Sequence, residues 1–434
     1  MNLVDDHDGE LSNVNEARSA IESLRIGVPN ADAIRATGWR QQKHTDRFDE
    51  LLAKLETTTE SPTMGIVDGE FGSGKSHLLG FLAQRAKARN FVVSTVVVSA
   101  ETKLGDLKQV LNAALDSADG NNVRGSLFDS LIANFQVDSH EARDLVEWVN
   151  GAPGMLQACL NLALAGQQIG QKAGPPADPE FVHDVERWLR GETLGISRVK
   201  AELRENGWHG HFIVSAIKIA DRLPYAFELY SRLIKAAGYS GWVIMFDELE
   251  LIGRLPKASR AKAYAAVGDW LGPTGDRPPF IGTVGMNIET FVADVLERHG
   301  DNDGVLEDQI RNRGGDANES LADRIANGID LLEDADDRML ITRPGKVDRE
   351  ATFASIKAMY EKSYGAQVPN ASDDLLHGLP PETPMRIYVK RWVNWMDGVR
   401  LKMIDAESNV EDDISRFAVD FSEDKDLDAD ESDD

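Results

Sequence analysis

The sequence predicts an α/β protein built on a parallel, doubly wound sheet, and three observations support this fold class. Short apolar stretches of strand length alternate with helical patterns, and such alternation is typical of parallel sheets. The stretch from about residue 104 to 238 has an almost wholly helical pattern. After Pro344, two or three helical patterns follow without a strand. We therefore expect a sheet core, a large helical insert and a C-terminal helical lid.

The N-terminal region is predicted to be helical. Asn13 precedes apolar residues spaced three and four apart, and Glu16 follows three residues after this cap, which is typical of a helix start. Gly27 ends the pattern, and residues 48–55 carry a second helical pattern. We expect residues 1–60 to form an N-terminal helical segment.

Five strands are predicted after this segment, and helical patterns at 258–271, 289–299 and 320–334 separate the last three of them. In chain order the predicted strands are 64–67, 91–98, 242–246, 280–284 and 339–341. The expected boundaries are 61–345 for the sheet core, about 104–238 for its helical insert, 346–405 for the lid and 406–434 for a tail.

Charge is unevenly distributed along the chain. The 434 residues include 47 Lys and Arg against 73 Asp and Glu, a net charge of −26. Residues 411–434 alone hold twelve carboxylates against Arg416 and Lys425. A tail of this composition repels itself and has little apolar surface to bury, so we expect it to be disordered. The acidic body argues against wide, non-specific coating of DNA but does not exclude a local basic groove.

Composition also excludes several protein classes. Cys159 is the single cysteine, which rules out an internal disulfide framework and a zinc site built on clustered cysteines. Because Cys159 lies in a mostly apolar stretch, we expect it to be a core residue. No apolar stretch approaches the roughly 20 residues of a membrane helix. The N-terminus is acidic where a signal peptide is basic, so we expect a cytoplasmic protein that does not enter the membrane.

A glycine-rich loop follows the first predicted strand and precedes a predicted helix. Residues 69–76 (GEFGSGKS) match the Walker A pattern GxxxxGK[ST] in full, in the context that supports this pattern. Glycines let backbone amides face an anion, and the helix N-terminus adds partial positive charge. Lys75 is expected to reach the β- and γ-phosphates and Ser76 to ligate Mg²⁺. The expected nucleotide-binding residues are Gly69, Gly72, Ser73, Gly74, Lys75, Ser76 and His77, with His77 supporting the loop rather than catalysing.

An acidic partner for this loop ends the third predicted strand. The apolar residues 242–246 lead into Asp247 and Glu248. In a shared parallel sheet this strand would bring Asp247 near the metal, and Glu248 would act as a general base on the attacking water. Glu250 lies beyond the strand and is interpreted as a loop residue.

Polar and basic residues beyond this strand are candidates for sensing the nucleotide. On the fourth strand, between the two phosphate-facing strands, Thr283 is our first choice for a contact to the γ-phosphate or the water, and Asn287 is the reserve. In the lid, Thr383 is expected to cap a helix that presents Arg386 to the nucleotide. The candidates for an arginine that completes a neighbouring subunit's site are Arg254, Arg311, Arg313 and Arg324.

Taken together, these motifs resemble an AAA+ P-loop ATPase of the initiator type. Three longer stretches, GIVDGEFGSGKSHLLGFLAQRA, VVSAETKLGDLKQVLNAAL and FDELELIGRLPKASRAKAY, are similar to the BrxD family of ATP-binding proteins from bacterial BREX phage-defence systems. The resemblance covers roughly residues 14–400. It implies an ATPase that acts beside a DEAD/DEAH-type helicase and other defence components, on or near DNA, and that forms an ATP-dependent homo-oligomer.

Two departures from the initiator pattern stand out. Initiators often have a Val-Gly-Arg box before the loop, whereas this chain has Thr37, Gly38, Trp39 and Arg40, which puts adenine contacts there in doubt. Initiators also carry a winged-helix domain after the lid, whereas here the acidic tail follows. DNA contact by that route is therefore not expected.

Four functions compete on these observations. The first is a Mg²⁺-dependent ATPase of phage defence, whose turnover drives assembly on DNA or on a partner. The second is a nucleotide switch that hydrolyses slowly and recruits an effector. The third is a replication initiator or helicase loader, against which the missing winged helix argues. The fourth, a metabolic kinase, fits the long helical insert and the lid poorly.

Overall fold

The structure is a computed structural model that describes residues 11, 13–165, 177–296, 303–333, 339–380 and 383–402. Its helices and strands are, in chain order, α1 (Val14–Ile26), α2 (Ala31–Thr37), α3 (Gln42–Thr57), β1 (Thr63–Asp68), α4 (Lys75–Ala88), β2 (Val92–Val97), α5 (Leu107–Asp116), α6 (Leu127–Ala133), α7 (His140–Gly151), α8 (Gly154–Ala163), α9 (Pro179–Leu189), α10 (Ile196–Glu205), α11 (Ile219–Ala236), β3 (Trp242–Asp247), α12 (Lys257–Leu271), β4 (Ile281–Asn287), α13 (Leu306–Arg311), α14 (Asp316–Glu333), β5 (Met339–Leu340), α15 (Lys346–Tyr364), α16 (Asp373–His377) and α17 (Met385–Arg400).

The chain divides into two compact units. The first unit consists of residues 1–40, 72–77 and 343–434, and the second consists of residues 41–71 and 78–342. The predicted domain boundaries cut the chain differently and stay a prediction. Neither unit has, within its described residues, a helix long and apolar enough to cross a lipid bilayer.

The second unit contains a five-stranded parallel sheet with the order β2-β3-β4-β1-β5. β4 lies between β1 and β3 and pairs with both. At the carboxyl edge of the sheet, Asp68 of β1 is the register partner of Asn287 of β4. Asp247 of β3 is the register partner of Val97 of β2. In a parallel sheet all carboxyl ends meet at one edge. The predicted α/β fold class is confirmed.

Helices α3 and α12 pack on opposite faces of this sheet. A Cβ atom placed on Gly282 would lie 2.6 Å from Cδ1 of Leu55 in α3. One placed on Gly285 would lie 2.6 Å from Cδ1 of Leu271 in α12. The two glycines therefore let both helices approach β4 closely.

The predicted helical insert forms α5 to α11 and shares one apolar core with the sheet. Trp242 of β3 is fully buried and stacks on Phe227 of α11. Its Nε1 donates to Oγ of Ser94 at 2.9 Å, and that hydroxyl donates to the carbonyl of Ala114 at 2.6 Å. These buried polar groups are thus satisfied. Cys159 is buried in α8, as expected, and burial raises the pKa of its thiol.

The first unit packs the two N-terminal helices, α1 and α2, with α15, α16 and α17 around a separate apolar core. The predicted cap of α1 is confirmed, because Oδ1 of Asn13 accepts hydrogen bonds from the amides of Asn15 and Glu16 at 2.9 and 3.0 Å. The guanidinium of Arg25 lies 2.9 Å from Oδ2 of Asp397 in α17. This ion pair links the first helix of the unit to its last.

Some elements differ from their predicted bounds. β4 extends to Asn287 rather than ending at residue 284, because its last residues continue the ladder with β1. Within the helix predicted at 289–299, residues 289–296 are described, and of these Val292–Leu296 form a π turn. Pro384, not Thr383, occupies the cap of α17, and this cap makes no side-chain hydrogen bond.

Two further expectations concern residues outside the described ranges. The predicted acidic tail, residues 406–434, lies outside them. So do residues 166–176 of the stretch predicted to form the helical insert.

Candidate functional site

The glycine-rich loop connects β1 to α4, as the sequence predicts. β1 ends at Asp68 and α4 begins at Lys75, which places Lys75 and Ser76 in the first turn of a helix. The amide of Gly69 donates to the carbonyl of Asn287 at 3.1 Å and so extends the β1–β4 ladder into the loop. The first amides of a helix have no partner within it and favour an anion. The local structure therefore suits a phosphate group.

Gly72 and Gly74 adopt backbone conformations that other residues avoid, with φ of +75° and +110°. In the first unit, a Cβ atom on Gly72 would lie 3.0 Å from Cβ of Pro384, and one on Gly74 would lie 3.5 Å from Cζ3 of Trp39. Between them, Oγ of Ser73 is buried and has no hydrogen-bond partner among the described residues. A buried hydroxyl in this condition suits a polar ligand.

His77 connects this loop to the segment that precedes α3. Its Nε2 donates to the carbonyl of Gly38 at 2.8 Å and lies 3.4 Å from Oγ1 of Thr37. Burial lowers the pKa of His77, and the hydrogen bond to Gly38 opposes this effect. The imidazole thus has a structural contact within the first unit. Its place among the nucleotide-binding residues stays a prediction.

Trp39 is a residue of the site whose position sequence reasoning missed. Its side chain is buried, and its ring centroid lies 6.1 Å from that of His77. With the contact to Gly74, this places an indole ring against the C-terminal half of the glycine-rich loop. The sequence shows a tryptophan in the segment before α3, but Trp39 and Gly74 are 35 positions apart and no local pattern predicts a contact between them.

Arg386 lies in the first turn of α17, next to the loop within the first unit. A Cβ atom on Gly72 would lie 3.8 Å from Cβ of Arg386, and one on Gly27 would lie 2.7 Å from its Nε. This Nε is buried without a hydrogen-bond partner among the described residues. A cation therefore lies beside the loop, and its action on a nucleotide is a prediction.

Asp247 ends β3 at the carboxyl edge of the sheet, and Glu248 follows it directly. The amide of Glu248 donates to Oδ1 of Asp247 at 2.9 Å, which helps to orient that carboxylate. Glu248 is exposed and has the left-handed backbone conformation, with φ of +57° and ψ of +44°. The two acids are thus presented by a sharp turn directly after a fully paired strand.

The structure does not bring Thr283 to this edge. Thr283 is the register partner of Thr63, at the start of β1, and its hydroxyl donates to the carbonyl of Trp270 at 2.6 Å. Asn287, the reserve candidate, ends β4 instead. Its side chain is fully buried, and neither its amide oxygen nor its amide nitrogen has a hydrogen-bond partner among the described residues. Asn287, and not Thr283, therefore lies at the carboxyl edge of the sheet, and a contact of either residue to the nucleotide or the water stays a prediction.

Asp68 was not singled out from the sequence. It ends β1 directly before the glycine-rich loop, is 3% exposed and is the register partner of Asn287. Its signal was an acidic residue at the end of an apolar strand, the same signal that identified Asp247. The carboxyl edge therefore carries three polar side chains on β1, β4 and β3.

Comparison with protein-family models identifies a match over residues 13–117 and 171–276 to the family described as BREX system ATP-binding protein BrxC/D. The chain belongs to this family. It is therefore an ATP-binding protein of a BREX defence system. A comparison with curated proteins finds no match.

The matched stretches of this BrxC/D family member contain most of the residues described above. The first stretch includes Trp39 and the loop of residues 69–76, and the second includes Asp247 and Glu248. Asn287 and Arg386 lie beyond residue 276 and outside the match. Their assignment therefore rests on the geometry of this chain.

The four candidate arginines of this BrxC/D protein differ in their partners. Arg311 pairs with Asp323 at 2.9 Å, and Arg324 is bonded to Asp269. By contrast, the side chains of Arg254 and Arg313 are exposed and make no hydrogen bond or ion pair within the described part of the chain. These two remain available to another molecule.

No group of three or more His, Cys, Asp or Glu side chains is placed to hold a metal ion in the described ranges of this BrxC/D protein. Mg²⁺ bound with a nucleotide needs only one or two protein ligands, because phosphate oxygens and waters complete its shell. Ser76, in the first turn of α4, and Asp247, at the end of β3, have suitable oxygen atoms. They are the residues predicted to hold Mg²⁺.

Proposed function

We propose that this BrxC/D family member is a Mg²⁺-dependent ATPase that converts ATP to ADP and phosphate. The observation that carries the proposal is the pairing of two features of one sheet. A glycine-rich loop with the full phosphate-binding pattern follows β1, and an Asp-Glu pair ends β3. Only β4 separates these strands, and it ends in a buried amide.

The loop supplies the phosphate contacts. Backbone amides from Gly72 to Ser76 would surround the β-phosphate, and the Lys75 ammonium would form charge-assisted hydrogen bonds to the β- and γ-phosphates. The buried Oγ of Ser73, which has no hydrogen-bond partner within the described ranges, would add a further hydrogen bond. The positive φ values of Gly72 and Gly74 support this interpretation, because such conformations are typical of loops whose successive amides face an anion.

The acidic edge supplies the metal ligand and the base. Ser76 and Asp247 would hold Mg²⁺, which when bound neutralises charge on the phosphates. Glu248 would take a proton from the attacking water. Its exposure and its position directly after β3 favour this role, since a base must reach a solvent-derived nucleophile.

Asn287 and Arg386 would complete the site. The Asn287 side chain has both a donor and an acceptor without a partner in the described part of the chain, and therefore suits a contact to the attacking water or the γ-phosphate. Arg386 would bring a permanent positive charge that stabilises the charge of the transition state.

The test is steady-state ATP turnover, measured with Mg²⁺ and with EDTA, for the parent protein and Glu248→Gln. The amide keeps the shape of the side chain but cannot accept a proton, so we expect turnover to fall by about 100-fold or more. ATP affinity should change by less than about threefold. Glu250→Gln is the matched control and should keep the parental rate. A parent protein that does not hydrolyse ATP, or a Glu248→Gln variant that turns over at the parental rate, would overturn the proposal.

We also propose that turnover is coupled to ATP-dependent assembly on DNA or on a DEAD/DEAH-type helicase of the same system. The family resemblance supports this coupling, and so do the exposed arginines Arg254 and Arg313, which suit phosphate oxygens. The test is turnover over a range of protein concentrations, with and without duplex and single-stranded DNA. Coupling predicts a rate per molecule that rises with protein or with DNA. A slow rate that responds to neither would favour a nucleotide switch.

A further inference from the structure

The backbone of Glu248 is in a conformation that a non-glycine residue holds only when its surroundings impose it. Its φ of +57° lies in the left-handed region, which is unfavourable for an L-residue with a long side chain. Such strain persists where the neighbouring structure determines the turn. We therefore expect the residues after Glu248 to maintain this backbone conformation.

A short 3-10 turn, Leu249–Arg254, follows Glu248 directly. The amide of Leu251 donates to the carbonyl of Glu248 at 3.0 Å, so the turn begins on the strained residue itself. Near its end, a Cβ atom on Gly253 would lie 2.7 Å from Cγ1 of Val295. The 249–254 turn is therefore closely packed against the residues that follow β4.

A buried ion pair holds the end of this turn. Nη1 of Arg260 donates to the carbonyl of Leu255 at 2.8 Å. The same guanidinium donates from Nε and Nη2 to the carboxylate of Asp303 at 2.7 and 2.9 Å. Asp303 is fully buried and also accepts a hydrogen bond from the hydroxyl of Tyr264 at 2.8 Å.

This network is an unusual way to stabilise a fold. Burying a carboxylate and a guanidinium costs desolvation energy, and well-packed apolar residues often replace such a pair without loss of stability. The pair does, however, define one geometry, because a planar guanidinium matches a carboxylate in only a few orientations. The main contribution of this ion pair is therefore to fix the position of Leu255 and of the 249–254 turn.

We propose that Arg260 and Asp303 are positioning residues that hold the Glu248 turn in its hydrolytic geometry. The path runs from Glu248 through the 249–254 turn to Leu255, Arg260 and Asp303. None of the last three residues needs to touch the nucleotide. This inference rests on the proposed ATPase function and on the role of Glu248 as its base.

The first test compares Asp303→Asn with the parent protein in steady-state turnover and ATP binding. Loss of the carboxylate charge should loosen the turn, and we expect kcat to fall by about tenfold while KM for ATP changes by less than about threefold. The matched control is Asp49→Asn, which breaks a different ion pair, between Nε of Arg85 and Oδ1 of Asp49 at 2.6 Å. It should reduce thermal stability but leave kcat unchanged.

A double-mutant cycle separates positioning from general destabilisation. In a Glu248→Gln background the base is already lost, so Asp303→Asn should lower the residual rate by less than about twofold. An equal effect in both backgrounds would overturn the inference. The apolar double variant Arg260→Met with Asp303→Leu should keep the fold but still lose kcat. A parental kcat in that variant would also overturn it.

These experiments distinguish a failure of the positioning role from a failure of the proposed ATPase function. If Asp303→Asn does not fold, Tyr264→Phe takes its place, because it removes only one hydrogen-bond donor to Asp303. This variant should lower kcat by about threefold in the parent and have no effect in the Glu248→Gln background. An unchanged kcat in Tyr264→Phe and in the apolar double variant would overturn the inference. Failure of the ATPase proposal would appear separately, as a parent protein without turnover.

Discussion

Asp68 and Asn287 are register partners at the carboxyl ends of β1 and β4, and both side chains are buried. The amide of Gly69, the first residue of the glycine-rich loop, donates to the carbonyl of Asn287. The loop and the end of β4 are thus joined by a backbone hydrogen bond.

This relationship predicts that Asn287→Ala impairs hydrolysis more than binding. Because the side-chain amide has no hydrogen-bond partner among the residues that the structure describes, its removal should leave no buried group unsatisfied, and the fold should be retained. We expect turnover to fall by about tenfold or more, with ATP affinity within about threefold of the parent. The matched control is Thr283→Val, which loses the hydrogen bond to Trp270 and about 1 kcal/mol of stability. Reduced turnover in Thr283→Val alone would restore the original choice.

Lys75→Ala should abolish tight ATP binding. The change removes the ammonium that forms charge-assisted hydrogen bonds to the phosphates, while α4 should remain intact because Ala favours a helix. Calorimetric titration with ATP measures the loss directly. Lys87→Ala, near the end of the same helix, is the control and should bind like the parent. Unchanged affinity in Lys75→Ala would contradict the assignment of the phosphate loop.

Arg313→Ala should bind ATP but hydrolyse it slowly if this arginine completes a neighbouring subunit's site. Arg313 is exposed and has no side-chain partner in the described structure, whereas Arg311 is paired with Asp323. Arg311→Ala should therefore have the smaller effect. Mixing Arg313→Ala with Lys75→Ala should restore some turnover, because one intact site can form at a mixed boundary. A rate per site that is independent of concentration, without rescue on mixing, would indicate a self-sufficient monomer.

Acid should destabilise the second unit through His44. This side chain is fully buried in α3, and burial lowers its pKa from 6.5 to about 4, with a further lowering by the charge of Lys43. Between these values the unfolded chain binds more protons, so stability falls as pH falls from about 6.5 to about 4. The largest loss from this group is roughly 3 kcal/mol.

Thermal unfolding between pH 4 and 7 measures this effect. Part of the acid destabilisation should disappear in His44→Gln, because glutamine does not titrate in this range. The exposed His209→Gln should melt like the parent at each pH. An identical pH dependence in His44→Gln and the parent would exclude this explanation.

Local sequence patterns account for the strands and the helix of the site that the structure confirms. The strand before Gly69, the helix that begins at Lys75 and the strand that ends at Asp247 each follow from a short stretch of sequence with a clear apolar pattern and punctuating glycines. The parallel arrangement of the strands follows from their alternation with helices. These features need no information from distant residues, which is why the sequence was sufficient for them.

Pairing between distant residues accounts for the rest. The end of β4 depends on its ladder with β1, whereas the apolar pattern read along this strand alone ends at residue 284. The contact of Trp39 with Gly74 joins residues 35 positions apart through the fold of the first unit. Single-strand patterns do not contain these contacts.

The first unit has a consequence for the order of events during synthesis. The apolar face of α1, formed by residues such as Ile21 and Leu24, packs with residues of α15 and α17. Residues from about 24 to 400 must be translated before this core can close. At a translation rate of roughly 5–20 residues per second, on the order of 20–75 s pass between the synthesis of α1 and that of α17. During that interval α1 lacks its partners in α15 and α17, so we expect the nascent chain to depend on chaperones more than a chain whose neighbouring helices pack in order.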